Sequence, residues 1–264
     1  MRLIVLAAGT GSRLAPLTND RPKCLVELGG KPLFEWTLDA ADRAGIDEVI
    51  VVGGYLADQL SRYDVKVLVN EDFATTNMVH TLFLAQEYFG DGFIMSYGDI
   101  VYTPEVLNLV CSAPDGVSVT VDMNWRGYWE QRFDDPLGDA ETLKFGDGMT
   151  IAEIGNPPTS YDDIEAQYIG LVAFNGSGVG MLENAIAAAR ADHVLGKKPF
   201  NCPRALDGIY MTDLLQGMVN MGGRISALPI HSQWLEIDTC RDLEVAHKLV
   251  KQGRMGALVG EVTA

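Results

Sequence analysis

Residues 3–23 read LIVLAAGTGSRLAPLTNDRPK, an apolar run that leads into a Gly-rich turn and then into basic residues. The apolar run Leu3–Ala7 is bounded by turn residues and predicts a buried strand. Gly9 and Gly11 allow backbone N–H groups after that strand to turn toward an anion and to approach it closely. This stretch therefore predicts a strand that ends in a loop suited to phosphate.

The loop differs from the two common nucleotide-binding motifs. A dinucleotide fingerprint G-x-G-x-x-G needs a third glycine where Leu14 stands, and a P-loop needs Gly-Lys-Ser/Thr, which the sequence lacks. A plain strand-to-helix turn with surface arginine and lysine is the alternative for a lone G-x-G. The pattern extends from Leu6 to Lys23, however, and this length favours a functional role.

Further apolar runs alternate with helical patterns along the first half of the chain. Strands are predicted at Val49–Val52, Val65–Val69, Phe93–Tyr97 and Val117–Val121. Helices are predicted at Pro32–Ala44, which Gly45 ends, and at Met78–Phe89, which Asn77 caps. This alternation is typical of an α/β fold with a doubly wound, mixed and mainly parallel sheet.

The regular alternation of apolar runs and helical patterns ends at about Asp122. Residues 122–167 combine aromatic and charged residues with glycines and prolines, and we expect them to form an excursion over the sheet. Beyond them we expect two strands, Tyr168–Phe174 and Ile225–Leu228, and two helices, Val179–Ala191 and Arg241–Gln252. Since no repeat or low-complexity linker is evident, residues 1–264 are interpreted as one domain.

Composition and cysteine usage restrict the class of protein. With 47% hydrophobic and 21% charged residues, the chain is typical of a globular protein. The four cysteines form no C-x-x-C pair, which argues against a zinc site or a disulfide framework and suits a cytoplasmic location. No apolar stretch approaches the roughly 18 residues of a membrane span.

The charge is strongly negative overall but positive at the start of the chain. A formal net charge of −16 argues against a nucleic-acid or anionic-membrane partner, because both bind electropositive surfaces. The first 31 residues nevertheless carry Arg2, Arg13, Arg21, Lys23 and Lys31 against only Asp20 and Glu27. A local basic site in an acidic protein indicates a small polyanionic ligand.

One long motif reads Leu6-Ala7-Ala8-Gly9-x-Gly11-x-Arg13-Leu14-x-Pro16-Leu17-Thr18 and is followed by Arg21-Pro22-Lys23. This motif resembles the sugar-phosphate and choline-phosphate nucleotidyltransferase superfamily. The resemblance implies a Rossmann-like fold whose Gly-rich loop wraps the triphosphate of an NTP. It also implies phosphate contact and a catalytic role for Arg13 and Lys23, whose fixed charges would offset the charge that grows during attack on the α-phosphorus. The loop residues expected to bind nucleotide are Leu6, Ala7, Ala8, Gly9, Thr10, Gly11 and Ser12.

Asp99 is the first candidate metal ligand. It follows the predicted strand Phe93–Tyr97 and Gly98, at the carboxyl edge of the sheet, where open α/β sheets bind ligands. The resemblance implies that Asp99 is catalytic and binds Mg²⁺, and that Gly98 lies beside the nucleotide. Glu236 and Asp238 alternate onto one face of an extended segment and are expected to complete the site. Alternatively, Asp238 and Thr239 only cap the following helix.

Two further resemblances favour CTP as the nucleotide. Thr76, Asn77 and Met78 begin a segment similar to the Asn-Met-Val loop of choline-phosphate cytidylyltransferases, which lies near the base. A helix N-cap role for Asn77 is an equal alternative. Glu236-x-Asp238 also resembles the choline-phosphate branch, since many sugar-nucleotide members carry aspartate where Glu236 stands.

Aromatic residues concentrate in 122–129, the part of the chain expected to meet the acceptor. Rings together with carboxylates can hold an ammonium group by cation–π and charge attraction. A packing role for the rings, and a solvated-loop role for the carboxylates, are equal alternatives. The acceptor-binding positions expected are Asp122, Trp125, Trp129, Asp139, Glu141, Tyr168, Tyr210 and Trp234.

As a whole, the sequence resembles bacterial choline-phosphate or phosphonate cytidylyltransferases most. We expect residues 1–121 to bind mainly the NTP, and 122–264 to supply the acceptor-binding excursion and the second metal ligand. The expected reaction transfers CMP from CTP to a small acceptor such as phosphocholine or 2-aminoethylphosphonate, with Mg²⁺ as cofactor. A sugar-1-phosphate uridylyl- or thymidylyltransferase and a catalytically silent nucleotide-binding regulatory subunit are the alternatives, and a homodimer is left open.

Overall fold

The computed structural model describes residues 1–252, and the remainder of the predicted domain, 253–264, lies outside the described residues. The strands, numbered β1 to β13 in chain order, span Arg2–Ala7, Glu27–Leu28, Lys31–Pro32, Glu48–Gly53, Lys66–Val69, Gly92–Tyr97, Ile100–Tyr102, Gly116–Asp122, Leu143–Gly146, Thr150–Ile154, Gln167–Asn175, Ile225–Ile230 and Trp234–Glu236. The α-helices, numbered α1 to α7, span Leu33–Arg43, Met78–Phe83, Pro104–Cys111, Trp125–Arg132, Ser177–Val194, Met211–Asn220 and Cys240–Lys251.

A nine-stranded sheet in the order β5-β4-β1-β6-β11-β8-β12-β10-β9 forms the centre of the molecule. β1 pairs in parallel with both β4 and β6, and β8 pairs in parallel with β12. β11 runs antiparallel between β6 and β8, and β10 runs antiparallel to β12. The predicted α/β fold with a mixed, mainly parallel sheet is confirmed.

Alternating side chains of β1 enter two cores, one on each face of the sheet. Leu3 and Val5 pack on the face that α1, α3, α4 and α7 cover. Ile4 and Leu6 pack on the face that α2, α5 and α6 cover. Because successive side chains of a strand point to opposite faces, one short apolar run stabilises both layers.

Each of the predicted strands is confirmed to within two residues at its ends, and three of the predicted helices match α1, α5 and α7. The helix predicted at Met78–Phe89 is wrong in its end, because α2 stops at Phe83 and a 3-10 turn follows at Gln86–Tyr88. This tighter turn keeps Phe89 buried, with its ring stacked on Phe93 at 4.3 Å between centroids.

The excursion predicted for 122–167 is wrong in its placement. Two of its segments, β9 and β10, extend the central sheet beyond β12 instead of lying over it. β12 offers an edge whose backbone N–H and C=O groups need partners, and β10 supplies them. α4 packs on one face of the sheet, against α7, and the turn after it packs against α4. Within the described residues no helix has the length and apolar character needed to cross a bilayer.

Candidate active site

A cleft of about 400 Å³ opens at the carboxyl ends of β1 and β6. The predicted nucleotide-binding residues that line it are Leu6, Ala7, Ala8, Gly9, Thr10, Gly11, Ser12, Arg13, Lys23, Thr76, Asn77, Met78 and Gly98. The predicted metal ligands Asp99, Glu236 and Asp238 line it as well. Segments far apart in sequence therefore meet at one edge of the sheet.

The Gly-rich loop is packed against the basic segment that follows it. Gly11 adopts a positive φ of 63°, and a Cβ at this position would lie 2.9 Å from the Cβ of Lys23. The Thr18 hydroxyl donates to the Gly11 carbonyl at 2.9 Å. Only glycine tolerates both the backbone angle and the close approach, so Gly11 keeps the loop next to Lys23.

Gly98 brings the end of β6 against the end of β1. Its N–H donates to the Leu6 carbonyl at 2.9 Å, and a Cβ on it would lie 2.8 Å from the Cβ of Ala7. Asp99 therefore emerges directly beside the start of the Gly-rich loop.

The short strand β13 carries the second acidic segment to the same place. It pairs antiparallel with β7, with Glu236 opposite Ile100. Just beyond this pair, the Ile237 N–H donates to the Asp99 carbonyl at 2.9 Å. These backbone contacts bring Asp238 close to Asp99, although 138 residues separate the two in sequence.

Two cations neutralise these carboxylates. Lys23 Nζ donates to Asp99 Oδ2 and to Asp238 Oδ1, each at 2.6 Å, and Arg13 forms an ion pair with the other oxygen of Asp238. Burial alone would lower the pKa of Lys23, but Asp99 and Asp238 outweigh this effect and hold that pKa above its ordinary value. Lys23 therefore remains an ammonium ion throughout the physiological pH range.

Glu236 has a different partner from the other two carboxylates. Its Oε2 lies 2.7 Å from a terminal nitrogen of Arg132. Burial raises the pKa of Glu236 to about 7, against the opposing effect of the Arg132 charge. Arg132 thus holds one oxygen of Glu236 and leaves the other for the cleft.

The residues present fit a hard divalent cation such as Mg²⁺. Asp99 Oδ1 is buried and has no hydrogen-bond partner among the described residues, so one carboxylate oxygen at the cleft lacks a donor. Within the same part of the chain, no group of three or more Asp, Glu, His or Cys side chains is arranged to hold a metal ion. Mg²⁺ commonly takes one or two carboxylates together with waters and substrate phosphates, so the pair Asp99 and Asp238 is a sufficient protein contribution.

Asn77 caps a helix and also lies in the lining of the cleft. It is the N-cap of α2, and its side-chain oxygen accepts from the Met78 N–H at 2.8 Å. Asn77 and Met78 also line the cleft, where the Tyr97 hydroxyl lies 2.8 Å from the Met78 sulfur and donates to it. The helix cap therefore fixes a polar wall of the cleft.

The capping alternative for the second acidic segment is resolved residue by residue. Thr239 caps α7, because its hydroxyl accepts from the Asp242 N–H at 3.1 Å while the Asp242 carboxylate accepts from the Thr239 N–H at 2.7 Å. The side chain of Asp238 instead faces Lys23 and Arg13 in the cleft. The capping side chain is therefore Thr239, while the Asp238 side chain lies in the cleft.

Four of the predicted acceptor-binding residues lie together, but they do not line the cleft. Trp125, Trp129 and Trp234 are buried. The ring centroid of Trp129 lies 5.9 Å from that of Trp125 and 6.1 Å from that of Trp234. Asp122 is buried beside them and accepts from the Trp234 indole N–H at 2.9 Å. The guanidinium of Arg132 lies 5.1 Å from the Trp129 ring centroid. The cation in contact with these rings is therefore the Arg132 side chain of the protein itself.

The other four predicted acceptor-binding residues are spread over the region next to the cleft. Asp139 accepts from the Trp129 indole N–H at 3.0 Å, and Tyr210 is exposed beneath the guanidinium of Arg204. Burial raises the pKa of Glu141 to about 7, and the nearby charge of Asp213 adds to the shift. Tyr168 meets the cleft residue Tyr97 edge to face, 5.8 Å between centroids. Acceptor binding by these residues stays a prediction.

Several residues of the site were not anticipated from the sequence. The cleft is also lined by Cys24, Phe73, Thr81 and Tyr97, and Arg132 reaches it through Glu236. Cys24 and Tyr97 adjoin predicted site residues in sequence, which was a usable signal. Arg132 gave no such signal, because its partners lie 104 and 110 residues away.

The doubly wound sheet, the Gly-rich loop at the end of β1 and the cleft with paired cations and carboxylates define a nucleotidyltransferase. The MobA-like NTP transferase domain family matches residues 3–141, somewhat more than half of the chain. The protein belongs to this family.

Relatives of known activity extend the match beyond the family's own boundaries. The CTP:phosphoglutamine cytidylyltransferase of Campylobacter jejuni is 39% identical over 256 residues, which cover 93% of this chain and 98% of that protein. The choline-phosphate cytidylyltransferase of Streptococcus pneumoniae is 32% identical over 106 residues, 39% of this chain and 46% of that protein. The first match includes nearly all of both chains, and the second only part of each.

Solved structures agree on the fold. The inositol-1-phosphate CTP transferase from T. maritima superimposes with a TM-score of 0.72 over 100% of this chain and 97% of that one, at 19% identity. The CTP:phosphocholine cytidylyltransferase from Streptococcus pneumoniae gives a TM-score of 0.69 over 94% and 98%, at 20% identity. The architecture is therefore shared along essentially the whole described chain.

Proposed function

We propose that this nucleotidyltransferase is a Mg²⁺-dependent cytidylyltransferase, which transfers CMP from CTP to a small phosphorylated or phosphonate acceptor and releases pyrophosphate. One observation carries the proposal: the Gly-rich loop, the cations Arg13 and Lys23 and the carboxylates of Asp99 and Asp238 meet in one cleft. The relative at 39% identity supports CTP as the nucleotide, since CTP is part of its name and the match covers nearly both full lengths.

The chemistry needs no protein nucleophile. A phosphate or phosphonate oxygen of the acceptor is already ionised at neutral pH, so positioning and charge stabilisation suffice. That oxygen forms a bond to the α-phosphorus of CTP, the bond from this phosphorus to the oxygen bridging to the β-phosphate breaks, and pyrophosphate leaves. In this proposal Arg13, Lys23 and the loop amides offset the negative charge that grows on the phosphate oxygens.

Asp99 and Asp238 are the proposed ligands of Mg²⁺, with Glu236 as the third candidate. The unpartnered oxygen of Asp99 and the hard oxygen character of all three groups support this choice. Bound Mg²⁺ would neutralise charge on the triphosphate. The residues themselves orient the site, because β13 and β7 hold the two acidic segments in fixed register.

The proposed acceptor carries a nitrogen-bearing tail. The names of three relatives give phosphoglutamine, phosphocholine and 2-aminoethylphosphonate as their acceptors. Each of these compounds carries such a tail on a phosphate or phosphonate. Asp139 and Glu141 supply carboxylates beyond the cleft, and Tyr168 links this region to the cleft through Tyr97.

A pyrophosphate-release assay tests the reaction and both substrates together. CTP, UTP, dTTP, ATP and GTP are each combined with phosphoglutamine, phosphocholine, 2-aminoethylphosphonate or glucose 1-phosphate in Mg²⁺. Turnover is expected with CTP and at least one nitrogen-bearing acceptor, and EDTA is expected to abolish it until Mg²⁺ is restored. Assembly as a homodimer is a separate proposal, checked by light scattering after size exclusion.

The same assay distinguishes the two rival functions. Turnover confined to glucose 1-phosphate with UTP or dTTP would replace the proposal with a sugar nucleotidyltransferase. Silence in every combination, with CTP still bound in calorimetry, would favour the silent regulatory subunit.

A further inference from the structure

Lys23 bridges the two carboxylates that we propose as metal ligands. Its Nζ lies 2.6 Å from an oxygen of Asp99 and 2.6 Å from an oxygen of Asp238. The side chains of all three residues are largely buried, with 13%, 23% and 14% of their surface exposed. The ammonium group is therefore held tightly between two partly desolvated anions.

An ammonium ion and a divalent cation cannot occupy this position together. Mg²⁺ binds carboxylate oxygens at about 2.0–2.1 Å, so an ion shared by these two oxygens would take the space of Nζ. Like charges at such short range also repel strongly in a partly buried site. Metal bound between Asp99 Oδ2 and Asp238 Oδ1 thus requires Lys23 to move away.

The triphosphate supplies a reason for Lys23 to move. The Gly-rich loop packs on Lys23 at Gly11, so an anion bound by the loop lies within reach of the same ammonium. Phosphate oxygens would compete for Lys23 with the two carboxylates and leave them without their cation. Those carboxylates would then be available to the metal ion.

We propose that Lys23 is a resident cation that closes the Asp99 and Asp238 pair to divalent metal until a triphosphate draws it away. This inference rests on the proposed function, because it takes the triphosphate as the displacing ligand. It makes Lys23 a coupling element between nucleotide and metal, in addition to its role as a phosphate contact. In the nucleotide-free protein, the lysine and the metal ion are competitors.

Mn²⁺ binding to the nucleotide-free protein tests the proposal without any turnover. Free Mn²⁺ is titrated by electron paramagnetic resonance against wild type, Lys23→Gln and Lys31→Gln. Lys31→Gln is the matched control, because it removes the same charge from an ion pair with Asp39 outside the cleft. Lys23→Gln is expected to bind Mn²⁺ about tenfold more tightly or better, since the competing cation is gone, and Lys31→Gln is expected to match wild type.

Unchanged or weaker Mn²⁺ binding by a folded Lys23→Gln protein would overturn the proposal.

Arg13→Gln provides a graded comparison, because it frees one oxygen of Asp238 and leaves the Lys23 bridge in place. Its gain in Mn²⁺ affinity is expected to be smaller than that of Lys23→Gln. A gain as large as or larger than that of Lys23→Gln would shift the competing role from the lysine to the arginine and contradict the proposal.

Crystals of the wild-type protein give a second readout, which does not depend on a variant folding. Nucleotide-free crystals soaked in MnCl₂ are expected to show Lys23 between the carboxylates and no anomalous peak there. Mn²⁺ bound to both carboxylates with Lys23 undisturbed would overturn the inference. Because neither experiment uses turnover, the inference can fail while cytidylyl transfer stands, or hold while the pyrophosphate assay rejects CTP.

Discussion

Asp99 has one oxygen paired with Lys23 and one buried oxygen without a donor among the described residues. Asp99→Ala is expected to remove nearly all turnover while the protein stays folded, because β6 and β7 on either side are held by backbone pairing. Steady-state pyrophosphate release and circular dichroism measure the two effects. Asp58→Ala, an exposed aspartate outside the cleft, is the matched control. Substantial Mg²⁺-dependent turnover in Asp99→Ala would remove Asp99 from the proposed site.

Glu141 predicts a pH dependence of stability with a definite sign. Burial raises its pKa from 4.5 to about 7, so the folded state retains a proton that the unfolded state releases at lower pH. The stability that this proton contributes is present below pH 4.5 and is lost as the pH rises to about 7.

Glu141→Gln removes this titration while preserving the shape of the side chain. The melting temperature of the variant, relative to wild type, is therefore expected to rise between about pH 5 and about pH 8. Scanning calorimetry at several pH values measures it, with the exposed Glu87→Gln as the reference. A difference that is flat or falls with pH would contradict the buried, protonated state of Glu141.

Residues whose role follows from local sequence were predictable, and those that act through distant partners were not. Gly11 and Asp99 closely follow predicted strands, and this position indicates the sheet edge, whereas Lys23 was assigned to the site by the family resemblance. The aromatic residues of 122–129 were correctly expected to lie together. Their surroundings were not predictable from local sequence. Arg132 contacts the Trp129 ring and pairs with Asp242, which lies 110 positions later in the chain.

Helix α4 acts as a clamp on the segment that carries Glu236 and Asp238. Arg132, at its end, is 1% exposed and pairs with Glu236 at 2.7 Å and with Asp242 at 2.8 Å. Asp242 in turn accepts from the Asp238 N–H at 3.1 Å. On the preceding turn of α4, the Tyr128 hydroxyl accepts from the Glu236 N–H at 3.0 Å. The aromatic helix therefore positions the acidic segment through these contacts.

Arg132→Met is expected to destabilise the protein by about 3–5 kcal/mol, because it leaves the buried carboxylate of Asp242 without its cation. Urea unfolding followed by tryptophan fluorescence measures the change. Arg126→Met on the same helix removes an exposed i,i+4 pair with Glu130 and is expected to cost about 0.5 kcal/mol or less. If the two variants lose similar stability, the clamp has no special role.

At the scale of elements, strands were more predictable than their order. Each long strand is an uninterrupted apolar run, and such runs are visible in the sequence. The edge strands β9 and β10 contain Lys144 and Glu153 and have no comparable pattern. They join the sheet because β12 presents unpaired backbone groups, which is a property of the assembled sheet and not of residues 143–154.

The two halves of the molecule are interleaved, because β11 lies between β6 and β8. A fragment of residues 1–122 would lose β11, and with it the pairing that joins β8 to the rest of the sheet. We therefore expect this fragment not to fold independently. Far-UV circular dichroism and amide NMR dispersion of the isolated fragment measure this. A folded, monomeric fragment would show that residues 1–121 form an independent unit.

The same interleaving has a consequence for synthesis on the ribosome. The Gly-rich loop and Asp99 emerge early, but Asp238, which completes the cleft, is made roughly 140 residues later. At about 5–20 residues per second, this delay is on the order of 7–28 s. A nascent chain therefore presents loop cations without their second acidic partner throughout most of its translation. The complete cleft can therefore bind nucleotide only when synthesis of the chain is nearly finished.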